Sequence, residues 1–250
     1  MEINFRSSVT NCNVIFDSSE NANYGFGNRN FIIHGIQWNG GVAFPYGANY
    51  VRCNGSEKLN RNIQIPNGVT NMAETFKFCY KLNQNIHIPN SVTNMGGTFL
   101  SCYNLNQNIQ IPNSVTGMIN IFRNCYNLNQ NIQIPNSVRS ISSCFYYCTN
   151  LNQNIQIPNS VTSVSGVFMG CDNMTNITLL PTTMPVANWN GMIRDNASKS
   201  INIWTDDATA LDMMNAGFIQ GNIKPTMETI TNGYYNSQYN VYIYTNTVFN

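Results

Sequence analysis

Charge is what this sequence has least of. Only 9% of its 250 residues are charged, against about a quarter in ordinary soluble domains, and the net charge is +1. From Leu82 to Asn173 the charged residues are Arg123, Arg139 and Asp172 alone. Nucleic-acid binding needs clustered Lys and Arg to displace counterions from phosphate, and a polybasic membrane patch needs the same. Neither cluster exists, so neither partner is expected. No apolar run approaches the ~18 residues of a membrane helix. The stretch "MEINFRSSVTNCNVIF" has no basic region leading into an apolar run, and no lipidation motif occurs, so no signal peptide or anchor is expected.

Catalytic constellations are missing as well. No GxSxG, phosphate loop or HExxH is present. The eleven acidic residues form no recurring pair that would serve as two catalytic carboxylates. His34 and His87 are the only histidines, and His87 stands where other copies of a repeated phrase have Gln, on the outward side of a strand. A solvated surface residue is the simpler account of it, since catalysis needs a geometric partner. The expectation is a protein that is not an enzyme and holds no cofactor and no metal.

Amides and apolar residues fill the space. There are 45 Asn, and 42% of the chain is hydrophobic, so a core is affordable and the composition is not that of a disordered chain. The phrase "NLNQNIQIPNSV" starts at Asn104, Asn127 and Asn150, with near copies at Lys58 and Lys81. Its leucines, Leu59, Leu82, Leu105, Leu128 and Leu151, are 23 residues apart, and Met174 continues the count. A fixed period of this length predicts a repeat solenoid.

One period, Leu82 to Asn104, reads as a single coil. Ile86 and Ile88 alternate with polar residues as in a strand with one buried face. Pro89 stops the strand and Asn90-Ser91 turns the chain. Val92, Met95, Phe99, Cys102 and Leu105 point inward, the last three at a spacing that predicts a tight helical or 3₁₀ corner. One coil cannot bury these side chains alone. Neighbours at ~4.8 Å bury them as columns. Gln110, Gln133 and Gln156 are then expected in one amide column, and Asn108, Asn131 and Asn154 in another. Recent duplication explains the identical phrases equally well.

The phrase "IPNSVTNMGGTFLSCYNL" resembles the BspA-like leucine-rich repeats, whose pattern runs I-P-x-S-V-T-x-I, then Phe, x-x-Cys and x-x-Leu over 23 residues. The resemblance covers roughly residues 59 to 180 and implies the fold class: mainly β, with short helical or 3₁₀ turns, a leucine-rich-repeat solenoid with irregular N- and C-terminal caps. Residues 1–58 are expected to be a degenerate N-terminal repeat or cap, 59–173 five repeats, 174–225 a degenerate repeat plus a strand and helix cap, and 226–250 an aromatic β tail. In the first part Ile3 to Phe16 align with Ile86 to Phe99, Phe31 to Ile33 read as a strand, and Tyr50 with Cys53 echoes the Phe-x-x-Cys corner. In the cap, Ile201 to Trp204 read as a strand. Thr205 caps a helix with Ala208, Leu211 and Met214 on its apolar face and Gly217 at its end.

Candidate site residues fall into three sets. Cys79, Cys102, Cys125, Cys148 and Cys171 share one repeat position, and Phe76, Phe99, Phe122, Phe145 and Phe168 another. Side chains in one column point the same way, which suits neither disulfides nor metal ligation, so both columns read as structural core. A candidate binding face gathers Tyr80, Tyr103 and Tyr126 with Phe78, Arg123, Tyr146 and Tyr147, where the copies differ. Aromatic residues suit contact surfaces, although drift at a tolerant corner gives the same variability. The tail tyrosines Tyr234, Tyr235, Tyr239, Tyr242 and Tyr244 form a candidate assembly strand or plain core.

Two functions follow as expectations. The first is a bacteriophage virion component, capsid- or tail-associated, in contact with other subunits or a host surface. The second is a bacterial surface or secreted adhesin of the BspA-like kind that binds a host protein or glycan. Protein subunits are the expected partners, and a homo-oligomer is compatible with the low charge.

Overall fold

The computed structural model describes residues 2–4, 14–15, 29–34, 42–44, 48–60, 63–179, 192, 201–204, 233–236 and 241–244. Successive periods lie side by side and bond to one another along a shared corner. The N–H groups of Met72, Glu74, Phe76 and Phe78 donate to the carbonyls of Asn94, Gly96, Thr98 and Leu100 at 2.8–2.9 Å. The same row recurs from Gly97, Phe99 and Ser101, from Met118 to Asn124, and from Ile141 to Tyr147. Alternate residues bonding in parallel make this corner the strongest main-chain seam among the described residues. Parallel bridges beside it link Tyr50 to Asn71, Asn71 to Asn94, Gly117 to Ser140 and Ser140 to Ser163.

The corner itself corrects one expectation. Within a coil the Thr75 N–H reaches the Met72 carbonyl (3.1 Å) and the Cys79 N–H that of Phe76 (3.0 Å). Glu74 and Phe78, the third residues of these two turns, have φ of 55° and 64°. A 3₁₀ run needs negative φ throughout, so the corner is a chain of β-turns with alternating hand. Positive φ recurs at Gly97 and Ser101, Asn120 and Asn124, Ser143 and Tyr147, and Gly166 and Gly170. No helix occurs among the described residues.

The side of the coil that carries the Ile-x-Ile phrase is less regular than its alternation suggests. At one end β2 (Val14–Ile15), β4 (Val42–Ala43) and β6 (Ile63–Gln64) pair in parallel. At the other, β7 (Ile155–Ile157) pairs with β8 (Asn176–Leu179), and β8 with β9 (Ile201–Trp204). Between them, residues 86–88, 109–111 and 132–134 form no main-chain ladder with one another. The prolines after them lack a donor, and side-chain amides bridge the coils nearby instead. Burial still alternates: Ile86 and Ile88 are buried and His87 is exposed.

Stacked columns form the core. Phe76, Phe99, Phe122, Phe145 and Phe168 are fully buried, with successive ring centroids 5.6–5.7 Å apart. The leucine column runs from Leu59 to Leu151 and is completed by Met174, all buried. Burying one Phe side chain contributes about 2–3 kcal/mol, so the core scales with the number of coils.

The N-terminal phase differs from an alignment of Ile3 to Phe16 with Ile86 to Phe99. β1 (Glu2–Asn4) pairs with β3 (Arg29–His34), and β3 with β5 (Ala48–Arg52). Ile3 lies beside Ile33, whereas Val14 lies beside Val42 and Val42 beside Ile63. Val14, not Ile3, is therefore in line with the Ile-x-Ile side, because these first coils have unequal lengths. Cys53 also takes a different place. Its N–H donates to the Thr75 carbonyl (2.8 Å), as that of Phe76 does to Thr98. Cys53 thus occupies the Phe column, and buried Ser56 the Cys column.

At the far end β11 (Val241–Tyr244) pairs in parallel with β9, and β10 (Gly233–Asn236) pairs antiparallel with β11. The five-stranded sheet has the order β10-β11-β9-β8-β7. The helix expected over 205–217 lies outside the described residues.

Candidate contact surface

The turn corner sets which side chains face outward. Tyr80, Tyr103 and Tyr126 are stacked, with ring centroids 4.6 and 4.8 Å apart and interplanar angles near 20°. Their faces cover one another, so ring edges and hydroxyls meet solvent. Partial burial and the neighbouring Tyr103 push the Tyr80 and Tyr126 phenols up. Two residues before this column run Gly55, Phe78, Ser101, Asn124, Tyr147 and Gly170. Phe78 and Tyr147 are 37% and 43% exposed, and both hold positive φ. Phe78 tilts against Tyr80 at 6.2 Å, and Tyr147 meets Tyr146 edge-on at 4.7 Å. The Arg123 guanidinium lies 4.5 Å from the Tyr146 ring, a cation–π pair that keeps its charge outward without a carboxylate.

The structure thus gathers all seven candidate face residues on one corner, in two clusters. Phe78, Tyr80, Tyr103 and Tyr126 make the first, and Arg123, Tyr146 and Tyr147 the second. Ile119, 47% exposed, belongs to the same corner, in a window (Ile119-Asn120-Ile121) where the repeat copies differ. At the N-terminal end Glu74 bonds Arg52 and, at 2.7 Å, Lys77. The Lys77 hydrogen bond holds the Glu74 carboxyl below its ordinary value.

Behind the face, the thiols are locked in. The Sγ atoms of Cys102, Cys125, Cys148 and Cys171 donate to the carbonyls of Phe76, Phe99, Phe122 and Phe145 at 3.0–3.1 Å. Each bond joins one coil to its predecessor. Burial pushes the thiols of Cys53, Cys102, Cys125, Cys144, Cys148 and Cys171 up. All seven described cysteines are free, and no cluster of three metal-ligating side chains occurs among the described residues.

Amide columns exist, at other positions than expected. Asn83, Asn106 and Asn129 each accept, through Oδ1, the N–H of the residue 23 further on, at 2.9 Å. The Gln that follows donates to the same oxygen at 3.0–3.1 Å. A second ladder joins Asn104, Asn127, Asn150 and Asn173. Gln110 and Gln133 are exposed beside an open groove, and Asn154 accepts from Thr178.

Tyr234 and Tyr235 lie in β10 and Tyr242 and Tyr244 in β11, so the tail is joined by main-chain pairing to the chain's own sheet. Tyr239 lies outside the described residues. No helix among the described residues is long and apolar enough to cross a membrane.

No curated protein and no solved structure matches this chain. A family does: the BspA type leucine rich repeat region, in six copies over residues 54–175. Six copies rather than five agree with the main-chain phase, which holds from Cys53 and Ser56 through Met174. The family implies a solenoid-like repeat fold and a structural, protein-binding or adhesive role, one that is typically not enzymatic. Residues 54–175 of this protein are a BspA-type leucine-rich-repeat region.

Proposed function

We propose that this chain is a non-enzymatic binding protein, a repeat solenoid with irregular caps, that recognises another protein through the aromatic corner. One observation carries the reading. Phe78 and Tyr147 put large rings into solvent at a backbone position with positive φ, where the same column elsewhere holds Gly, Ser or Asn. A non-Gly residue there costs about 1–2 kcal/mol, and 37% of Phe78 and 43% of Tyr147 still face solvent. Exposed aromatic rings at a position that other coils fill with Gly, Ser or Asn support a contact surface.

Two settings use such a face. A bacterial surface adhesin fits the repeat family directly. A phage virion component needs a docking element for other subunits, and the outer edge of β10 in the aromatic tail would be that element. Binding to bacterial cells, epithelial cells and immobilised matrix proteins tests the face, with Phe78→Ala/Tyr126→Ala/Tyr147→Ala beside the wild type. Adhesion that survives in a folded triple variant would sink this assignment. Sedimentation with phage particles from a lysate, or with cell envelopes, separates the two settings.

A further inference from the structure

A ladder of asparagines runs beside the aromatic corner. The Asn ladder next to the tyrosines has a direction. Asn173 donates its Nδ2 to Asn150, Asn150 to Asn127, and Asn127 to Asn104, at 3.2–3.4 Å. Asn104 spends its Oδ1 on Asn127, which leaves its Nδ2 as a free donor aimed along the column. One and two coils further on, that column holds Lys81 and Lys58 in place of Asn. Lys58 and Lys81 are exposed, and neither forms an ion pair among the described residues.

The adjoining ladder is oriented the same way. Asn60 Oδ1 accepts the Asn83 N–H (2.6 Å), and Asn83 Oδ1 accepts the Asn106 N–H (2.9 Å). Neither Nδ2 group makes a hydrogen bond among the described residues. Lys58, Lys81, Asn60, Asn83 and Asn104 line one shallow depression. It offers two ammonium groups and three amide donors, while the amide oxygens of all three are already used. Two like charges in adjacent coils repel, and no ion pair to either lysine relieves this among the described residues. Glu57, beside Lys58, stands in the neighbouring column below Tyr80.

We infer that this depression binds a dianionic tetrahedral oxyanion, a phosphate or sulfate group. Two cations and three amide donors, with each amide oxygen already accepting a hydrogen bond, match an acceptor-only dianion in charge and hydrogen-bond polarity. The site is independent of the protein-contact reading, since it uses none of the aromatic face residues.

Titration of the full chain with inorganic phosphate and sulfate tests this, read by thermal melting and by the side-chain amide NMR signals of Asn60, Asn83 and Asn104. Saturable stabilisation and shifts of these three signals are expected, with acetate inert at the same ionic strength. Lys58→Gln/Lys81→Gln should lose the response, and Lys77→Gln should keep it. A polysaccharide bearing phosphate monoesters that binds wild type better than the double variant would identify the ester as the natural source. Response to the inorganic ions alone would identify the free anion. Equal responses of wild type and the double variant, or none in either, would overturn the assignment.

Discussion

The ring of Tyr147 lies over Gly170, one coil further on in the same column. A Cβ placed on Gly170 would stand 2.6 Å from Cδ1 and 2.8 Å from Cε1 of that ring, and φ at Gly170 is 73°. The exposed tyrosine therefore depends on a glycine 23 residues away. Gly170→Ala should destabilise the protein by about 1–3 kcal/mol through backbone strain and the clash. In a Tyr147→Ala background the clash is gone, and only about 1 kcal/mol of backbone cost should remain. Chemical denaturation of the four proteins of this cycle checks it, and equal costs in both backgrounds would contradict the contact.

The Phe column should be the most sensitive part of the repeat. Phe122 is sandwiched between Phe99 (5.6 Å) and Phe145 (5.7 Å). Phe122→Ala leaves a cavity in a stack that cannot close, at a cost of about 3–5 kcal/mol. Tyr103→Ala breaks two ring contacts at the surface and should cost about 1–2 kcal/mol. A denaturation series in which Tyr103 proves the more costly of the two would reverse this order.

Within one repeated phrase, two asparagines should behave oppositely. Asn106 Oδ1 accepts from Asn129 N–H (2.9 Å) and Gln130 Nε2 (3.0 Å). Asn106→Leu leaves a main-chain donor without its partner and should cost about 1–3 kcal/mol, whereas Asn106→Asp keeps the acceptor. Asn108, two residues on, is exposed and makes no side-chain hydrogen bond among the described residues, so Asn108→Ala should stay within about 0.5 kcal/mol. Similar melting temperatures for Asn106→Leu and Asn108→Ala would refute the distinction.

Alkaline pH should unfold the protein. Six buried thiols are raised from their ordinary value of 9.0, chiefly by burial. Their folded pKa values lie above the unfolded one, so the folded chain keeps protons that the unfolded chain loses. This contribution is complete below the unfolded value and is lost as pH rises above it, by up to roughly 1.4 kcal/mol per pH unit for each thiol. Denaturation midpoints between pH 8 and 11 should fall steeply, and a flat profile would refute the burial of the column. Thiol reagents at neutral pH should label none of the column cysteines until denaturant is added.

The interior of the repeat was legible because burial enforces a period. Leu59 to Leu151 at intervals of 23, and Phe76 to Phe168 likewise, describe columns that only stacking can bury. The corner was not legible, because three-residue spacing suits β-turns as well as a 3₁₀ helix, and only the sign of φ at Glu74 and Phe78 separates them. The amide columns were displaced for a related reason. Asn106 and Asn108 are both repeated faithfully, and sequence carries no sign of which oxygen meets the N–H of the next coil. At the N-terminus Tyr50 and Cys53 have the spacing of a Phe-x-x-Cys corner. Hydrogen bonding from Cys53 to Thr75 and from Leu59 to Ser56 places that corner three residues later. Nothing in the sequence marks the Lys58 and Lys81 pair, because scattered lysines are ordinary. Their meaning depends on the direction of a ladder that ends beside them.

Main-chain bonds hold the coils together along the Met72 to Phe78 corner, while residues 86–88, 109–111 and 132–134 on the Ile-x-Ile side are not tied to one another. Such a stack behaves like a book bound at its spine. Its softest deformation is a fanning of the pages, which stretches apolar contacts and side-chain amide bonds but breaks no corner bond. Pulled at one end by a bound surface, the repeat array would first open like a hand fan, with the aromatic spine keeping its geometry while the opposite edge yields.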